Sequence, residues 1–286
     1  MKTSLLHILS CPICHSPLKF DGSNSRKRII RGHFQCVDGH LFQVKDEIPI
    51  LKDPKISSEE FTWKVEFPNL QRYEEIQRQY ASYLSEEQRE ADRLMTKELV
   101  ATVSREKLVL DIASGMGRLL VVLSKKVRNE TEILGTDVDE TPLRGAQLKL
   151  KEERTYANVS LCVMDGKHLA IKPQTLSCVT SYFGLDNIPD TKKAFKEIAN
   201  AMKPDGRLVM TTLWLKEGSK SLALSEKHGF SATQTKNRLV QTLESTGFKL
   251  ESAEVFYSGK WPHNPMDLIP VQGDWFAHAL VIVCKA

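Results

Sequence analysis

Three aspartates lie at the ends of successive apolar runs, and a glycine-rich turn follows the first. Asp111 closes the run Leu-Val-Leu, and Gly115 and Gly117 follow it in Ala-Ser-Gly-Met-Gly. Because glycine has no Cβ, such a backbone can approach a ligand closely. Asp137 closes a second apolar run and Asp165 a third. Ligands bind at the carboxyl ends of parallel strands, so the three acids predict one binding site at that edge of a sheet.

The turn differs from the dinucleotide fingerprint G-x-G-x-x-G, because Leu120 stands at the third glycine position. An acid before the turn, Asp111, would repel a pyrophosphate and suits the positively charged amino acid part of S-adenosylmethionine. Asp137 can accept hydrogen bonds from two ribose hydroxyls. Asp165 and Gly166 are placed for the exocyclic amine and a ring nitrogen of adenine. The serial order of the acids therefore predicts S-adenosylmethionine as the cofactor.

A second set of residues has the spacing of a metal site. Cys11 and Cys14 form a C-x-x-C turn that directs two thiolates to one side, and Cys36 and His40 can supply two further ligands. Three thiolates and one imidazole are typical of structural zinc in a closed tetrahedral site. A redox role would need a βαβ context, which this segment lacks. The alternative is a fortuitous cysteine pair with an exposed His40.

Apolar runs alternate with helix-like stretches from residue 107 onward. Strands are predicted over 107–112, 132–137, 159–164, 176–182, 207–213, 248–256 and 277–284, and helices over 118–127, 141–153, 191–202 and 233–246. This alternation is typical of an α/β fold with a largely parallel, doubly wound sheet. The fold class is therefore α/β.

Three regions are predicted: a metal-binding ribbon at 1–55, a helical linker or cap at 56–106, and the α/β domain at 107–286. The ribbon is too small to bury a core, so metal binding is expected to supply much of its folding free energy. From Glu59 to Val103 apolar residues recur at helical spacing, and these helices are expected to cross the mouth of the α/β domain. Tyr73 and Tyr80 within these helices are expected to pack against the domain rather than to contact a substrate.

Several stretches resemble the motifs of class I methyltransferases over residues 107–215, namely LVLDIASGMGRLL, ILGTDVDE, VMDGKHL, SYFGLDNIPD and KPDGRLVM. SYFGLDNIPD is most similar to the quinone-biosynthesis C-methyltransferases. The resemblance implies a Rossmann-like seven-stranded sheet. It also implies that Asp111, Gly115 and Gly117 hold the methionine part, Asp137 the ribose, and Asp165 with Gly166 the adenine. Ala113, included in the predicted cofactor site, stands where the family usually has its first glycine.

The N-terminal stretches CPICHSPL and CVDGHLFQVKDEIPIL resemble a zinc ribbon found in front of many bacterial and archaeal methyltransferases. The rRNA guanine-N1 methyltransferases carry a related ribbon. In this chain Glu47 stands where that pattern usually has glycine, a position that affects a turn and not the ligands. Ser25 to Arg31 form a basic stretch that could contact phosphates or could keep a strand edge soluble.

The transferred methyl group is expected at the end of the fourth strand, so Tyr182 is included in the predicted cofactor site. Positioning supplies much of the rate of methyl transfer. A general base can assist, and His168 and Asp186 are the candidates. His168 also fits an ordinary polar position on a loop. The segment 258–275, with Trp261, could line a substrate cavity or cover the sheet.

Net charge and composition limit the classes of substrate and partner that the chain is expected to have. The net charge is +4, and residues 1–55 hold nine Lys/Arg against five Asp/Glu, so the whole excess lies there. The strand-four segment and the aromatic residues near the expected cavity favour a small-molecule substrate, while the ribbon and its local positive charge motivate an RNA base as the alternative, and Ala113 motivates a non-catalytic scaffold as a third. No apolar run approaches the roughly 20 residues of a membrane helix. Cys162, Cys178 and Cys284 lie in strand-like runs, which indicates a reducing, cytoplasmic compartment.

Overall fold

The computed structural model describes residues 1–55 and 68–286. Its strands are β1 Leu18–Ser25, β2 Arg28–Cys36, β3 Leu41–Lys45, β4 Ile48–Leu51, β5 Leu108–Ile112, β6 Glu132–Asp137, β7 Val159–Met164, β8 Leu176–Tyr182, β9 Met202–Leu215, β10 Phe248–Lys260 and β11 Trp275–Lys285. Its helices are α1 Leu70–Ser82, α2 Glu86–Val103, α3 Arg118–Lys126, α4 Glu140–Glu152, α5 Thr191–Ala201, α6 Lys220–Lys227 and α7 Lys236–Glu244.

The strands form one sheet in the order β1-β2-β3-β4-β7-β6-β5-β8-β9-β11-β10. The six from β4 to β9 along this order are parallel, and β11 lies antiparallel between β9 and β10. α2, α3 and α4 cover one face, while α5 and α7 cover the other. β5 to β11 are the seven strands of the predicted Rossmann-like α/β fold, which is thereby confirmed, and β1 to β4 extend the same sheet.

The helical region before β5 consists of two helices in the described residues. α2 begins at a capping box, in which the Ser85 hydroxyl accepts from the Gln88 N–H and the Gln88 side chain accepts from the Ser85 N–H. Its face with Met95, Leu99 and Val103 is buried over the sheet. The predicted helical residues 59–67 lie outside the described part of the chain. No helix within residues 1–55 and 68–286 has the length and apolar character needed to cross a bilayer.

The N-terminal strands continue the α/β sheet. β1 to β4 form an antiparallel meander, and β4 then pairs in parallel with β7, with Ile50 opposite Val163 and Leu51 opposite Met164. Phe34 and Phe42 belong to the same buried cluster as residues of the α/β sheet. The ribbon was expected to lack a core, and the structure differs because the ribbon shares the core of its neighbour.

The turn between β3 and β4 explains a departure from the family pattern. Glu47 has a φ of 73°, in the left-handed region that favours glycine. Its carboxylate forms ion pairs with Arg28 at 2.8 Å and Lys151 at 3.0 Å. Lys151 lies on α4, so the Glu47 side chain links the ribbon to the α/β domain, a contact that glycine at this position could not make.

Candidate functional site

The glycine-rich turn joins β5 to α3 and has three residues in the left-handed region, Ala113, Gly115 and Gly117; Phe183, in the facing loop after β8, is also left-handed. A Cβ added to Gly117 would lie 2.5 Å from the Cβ of Ala146 on α4. The turn is therefore packed directly on a neighbouring helix, and only glycine fits at Gly117. Ala113 adopts a φ of 53°, which an alanine tolerates at a cost.

Asp111 is buried beneath this turn, with 1% of its surface exposed. Its carboxylate accepts hydrogen bonds from the Ser114 hydroxyl at 2.6 Å and the Thr180 hydroxyl at 2.8 Å. Burial raises the pKa of Asp111 to about 7, an effect that the two hydroxyls oppose. Asp111 thus ties β5, the turn and β8 together, and contact with a cofactor amine stays a prediction.

Asp137 lies at the end of β6 and binds the same turn. Its carboxylate accepts hydrogen bonds from the backbone N–H groups of Gly115 at 2.8 Å and Asp139 at 3.0 Å. Burial raises its pKa to about 6. Two backbone donors leave further lone pairs on the oxygens free to accept hydroxyl protons. The geometry is therefore compatible with the predicted ribose contact.

Asp165 follows β7 and organises a tight loop. One carboxylate oxygen accepts from the Lys167 N–H at 2.9 Å, and the other lies 3.1 Å from Nδ1 of His168. Nε2 of His168 lies 2.6 Å from Nζ of Lys193. His168 is therefore engaged on both ring nitrogens, which supports its interpretation as a loop residue. Gly166 leaves room for Ile188, whose Cδ1 would lie 2.9 Å from an added Cβ.

Tyr182, at the end of β8, points its hydroxyl toward α2. It hydrogen bonds to the Asp92 carboxylate and to the Thr96 hydroxyl, while the guanidinium of Arg118 lies 5.4 Å from its ring centre. Arg118 also pairs with Asp92, which is buried on the apolar face of α2. Sequence reasoning missed Asp92 and Arg118. An acid inside an apolar helical stripe was the available signal for Asp92.

Asp186 is buried in the loop after β8. Its oxygens accept from the Thr212 hydroxyl and the Leu213 N–H, both at 2.8 Å. Burial raises its pKa to about 6. The structure therefore gives Asp186 a role in joining this loop to β9, and its predicted role as a base is untested.

An aromatic cluster on β11 and directly after β10 adjoins this loop. The His278 ring lies 4.9 Å from Phe183 and 5.0 Å from Phe276, and Trp261 packs 4.7 Å from Phe276. Nδ1 of His278 and Nε1 of Trp261 are buried and have no hydrogen-bond partner within the described residues. Burial lowers the pKa of His278 to about 4, so its imidazole is neutral at pH 7. Neither the sequence motifs nor spacing singled out His278.

The N-terminal cysteines and histidine come together as predicted. The ligand atoms of Cys11, Cys14, Cys36 and His40 all lie within 4.8 Å of one another. The two sulfurs of Cys14 and Cys36 are 3.7 Å apart, and Nδ1 of His40 lies 3.3 Å from the Cys36 sulfur. Tetrahedral bonds of about 2.3 Å from zinc to sulfur place two sulfurs about 3.8 Å apart. The cluster therefore has the size that a zinc ion requires.

Comparison with known proteins identifies similar chains. The model of the ubiE/COQ5 methyltransferase family matches residues 72–222. The chain is 32% identical over 108 residues to the ubiquinone/menaquinone biosynthesis C-methyltransferase UbiE of Yersinia pestis (strain Pestoides F), covering 38% of this chain and 43% of that protein. The UbiE protein of Yersinia pseudotuberculosis serotype O:1b matches equally. The chain thus spans less than half the length of the curated relatives it matches.

Solved structures share the fold. The [4+2]-cyclase SpnF superimposes with a TM-score of 0.55 at 18% identity, covering 69% of this chain and 82% of that one. Geranyl diphosphate C-methyltransferase of Streptomyces coelicolor A3(2), solved with S-adenosyl-L-homocysteine, gives a TM-score of 0.54 at 12% identity, covering 68% and 76%. Since one of these neighbours is a cyclase, the likeness establishes the fold alone.

Proposed function

The chain belongs to the ubiE/COQ5 methyltransferase family, and from this premise we propose that it transfers the methyl group of S-adenosylmethionine to a small molecule. The observation that carries the proposal is the placement of Asp111, Asp137 and Asp165 at the carboxyl ends of the adjacent strands β5, β6 and β7, around the glycine-rich turn. Such an edge is the ligand-binding edge of an open α/β sheet.

The residues present fit this cofactor. The turn at Gly115 and Gly117 offers backbone without side chains, and Asp137 offers a carboxylate held rigidly by two backbone donors. Asp165, 3% exposed, is fixed by the Lys167 N–H and the His168 ring in the loop that follows it. We assign the methionine end to Asp111 and the turn, the ribose to Asp137, and the adenine to Asp165 with Gly166. Each assignment follows the position of the residue along the edge of the sheet.

S-adenosylmethionine supplies an activated sulfonium methyl group, so the protein has to orient the acceptor in line and exclude water. Tyr182 and Phe183 end β8 beside the turn, and Phe183 packs against His278. We assign the acceptor side of the site to this aromatic surface. His278 is neutral at pH 7, so it can accept a hydrogen bond from an acceptor hydroxyl without introducing a positive charge.

We further propose that Cys11, Cys14, Cys36 and His40 hold one structural zinc ion. The spacing of the four donor atoms supports this, because thiolates and imidazole are the preferred ligands of zinc. The four ligands fill a tetrahedral site, so the ion has no open position for a reactant and takes no part in methyl transfer.

The basic stretch of the ribbon does not place all of its cations at the surface, which favours a small-molecule acceptor over RNA. Arg28 is turned inward, where it pairs with Glu47, donates to the Val159 carbonyl and lies 4.2 Å from the Tyr156 ring centre. Arg31 pairs with Asp46 at 3.6 Å. Arg28 is therefore engaged within the protein and is withdrawn from any phosphate-binding surface, whereas the Arg31 side chain stays 76% exposed.

Calorimetry with S-adenosylhomocysteine tests the cofactor site. Wild-type protein should bind, and Asp137→Ala should weaken binding roughly 10- to 100-fold, the worth of hydrogen bonds to a charged group. Asp21→Ala, which removes an exposed carboxylate on β1, is the matched control and should bind like wild type. Absence of binding by the wild-type protein would favour the non-catalytic scaffold. Transfer of a labelled methyl group into the RNA fraction of an extract, with none into small molecules, would favour the RNA alternative.

A further inference from the structure

Two connections join the metal-ligand cluster to the loops that carry the predicted adenine and ribose acids. Leu9 forms an antiparallel bridge with Ile171, the Ser10 N–H donates to the Ala170 carbonyl at 3.0 Å, and the Lys172 N–H donates to the Ile8 carbonyl at 2.8 Å. Cys11 follows this short pairing directly. The partner segment is the continuation of the loop that begins at Asp165.

The second connection runs from the other end of the ribbon. β4 pairs with β7 up to Leu51 and Met164, the residue before Asp165. Lys52 then extends its Nζ to the Val138 carbonyl at 3.1 Å, one residue beyond Asp137. The ribbon thus contacts the loops of both acids that the proposed function assigns to adenosine.

Helix α4 strengthens this second connection. Arg144 donates to the Lys45 carbonyl at 2.8 Å, and the Gln147 amide donates to the Asp46 carbonyl at 2.9 Å. α4 begins right after Asp137, at the Asp139 cap. The turn between β3 and β4 is therefore fastened to the helix that starts at the ribose loop.

The apolar part of this contact is buried and continuous. Leu9, Cys11 and Cys36 belong to the same apolar cluster as Leu169 and Ile171. A close-packed interior transmits a displacement of one side to the other. The methionine end is placed differently, because Asp111 lies on β5, which β6 and β7 separate from the ribbon.

We propose that the metal-loaded ribbon is the positioning element for the adenosine half of the cofactor site, so that metal binding and cofactor binding strengthen each other. The inference rests on the proposed function and on zinc as the ion. Without the metal, the turns at Cys11 and Cys36 are no longer tied together. The pairing of 8–10 with 170–172 and of β4 with β7 then loses its support, and the two acid loops lose their fixed geometry.

The test compares zinc-loaded and zinc-depleted protein by calorimetry, with S-adenosylhomocysteine and with adenosine as probes. We expect zinc removal to lower the affinity of the protein for both probes by the same factor, about tenfold, because the affected contacts are to the adenosine half that the two probes share. Linkage also requires that S-adenosylhomocysteine strengthen zinc binding by that factor, which a chelator competition measures. Equal affinity of both probes for depleted and loaded protein overturns the inference.

A second variant keeps the test decisive if depleted protein unfolds. Lys52→Met removes the bond to the ribose loop and leaves the metal ligands in place, so it should retain its zinc and lose about fivefold in affinity for both probes. Lys19→Met, at an exposed position on β1, is the control and should match wild type. Unchanged affinity for both probes in zinc-loaded Lys52→Met refutes the positioning role. Failure of the zinc-loaded wild type to bind either probe would instead refute the proposed function.

Discussion

Gly117→Ala is the sharpest test of how the glycine-rich turn is held. The new Cβ would lie 2.5 Å from the Cβ of Ala146, well inside van der Waals contact, and Gly117 has a φ of 73°. A left-handed alanine costs roughly 1–2 kcal/mol, and an overpacked contact adds roughly 1–3 kcal/mol. We expect the free energy of unfolding to fall by about 2–5 kcal/mol.

A second substitution separates the two costs. Ala146→Gly removes the clashing methyl from α4 and by itself costs about 2 kcal/mol, from helix propensity and the lost buried methyl. In the double variant the clash is gone and only the backbone cost remains at Gly117. The double variant should therefore be more stable than the sum of the single changes predicts, by about 1–3 kcal/mol.

Urea unfolding of the wild type and the three variants, followed by tryptophan fluorescence, measures this coupling. Calorimetry with S-adenosylhomocysteine should show the same pattern, with affinity lost in Gly117→Ala and partly regained in the double variant. If the two substitutions are additive to within about 0.5 kcal/mol, the turn does not rest on α4 as described.

Three further outcomes are expected. The pKa of Asp111 is about 7 in the folded state and 3.8 when unfolded, so its contribution to stability falls as pH rises between these values. Relative to wild type, Asp111→Asn should therefore gain about 1.4 kcal/mol in free energy of unfolding per pH unit from pH 5 to 7. A difference in urea unfolding that does not change with pH would contradict this. Ala113→Gly relieves a φ of 53° and should raise the free energy of unfolding by up to about 1 kcal/mol, whereas a loss would show that the Ala113 methyl packing dominates. Metal analysis should find about one zinc per chain, and Cys36→Ser should lower that content; a folded, zinc-free wild type would exclude the metal site.

The strand-end acids could be predicted because apolar runs and serial order depend on local sequence. Asp111, Asp137 and Asp165 lie at the ends of β5, β6 and β7 as the runs indicated. The four metal ligands could be predicted for the same reason, since C-x-x-C and C-x-x-x-H are local spacings. The backbone requirement at Glu47 also followed from position in a turn.

Features that depend on distant partners could not be predicted in this way. The local sequence of Ile48–Leu51 carries no information that its neighbour in the sheet is β7. In the sequence, Asp92 only interrupts an apolar helical stripe. The structure places Arg118 and Tyr182 beside it as its partners. α6 was missed because Lys220–Lys227 is short and mixed in polarity. The sequence pattern places Arg28 in a basic surface stretch, whereas its contacts with Glu47, the Val159 carbonyl and the Tyr156 ring turn it inward.

The pairing of β4 with β7 also sets an order of events during synthesis. The ribbon leaves the ribosome first, and β7 follows on the order of ten seconds later at ordinary elongation rates. During that interval one edge of β4 still lacks its partner strand, and a zinc ion would add to the β1–β4 pairing in holding the ribbon's turns before their apolar partners exist. We expect β7 to pair with β4 of the already folded ribbon as soon as it is synthesised. This pairing would shorten the time for which β7, a strand with every residue buried in the folded protein, is exposed to solvent. The metal would then matter first to the newborn chain, before there is any cofactor site to support.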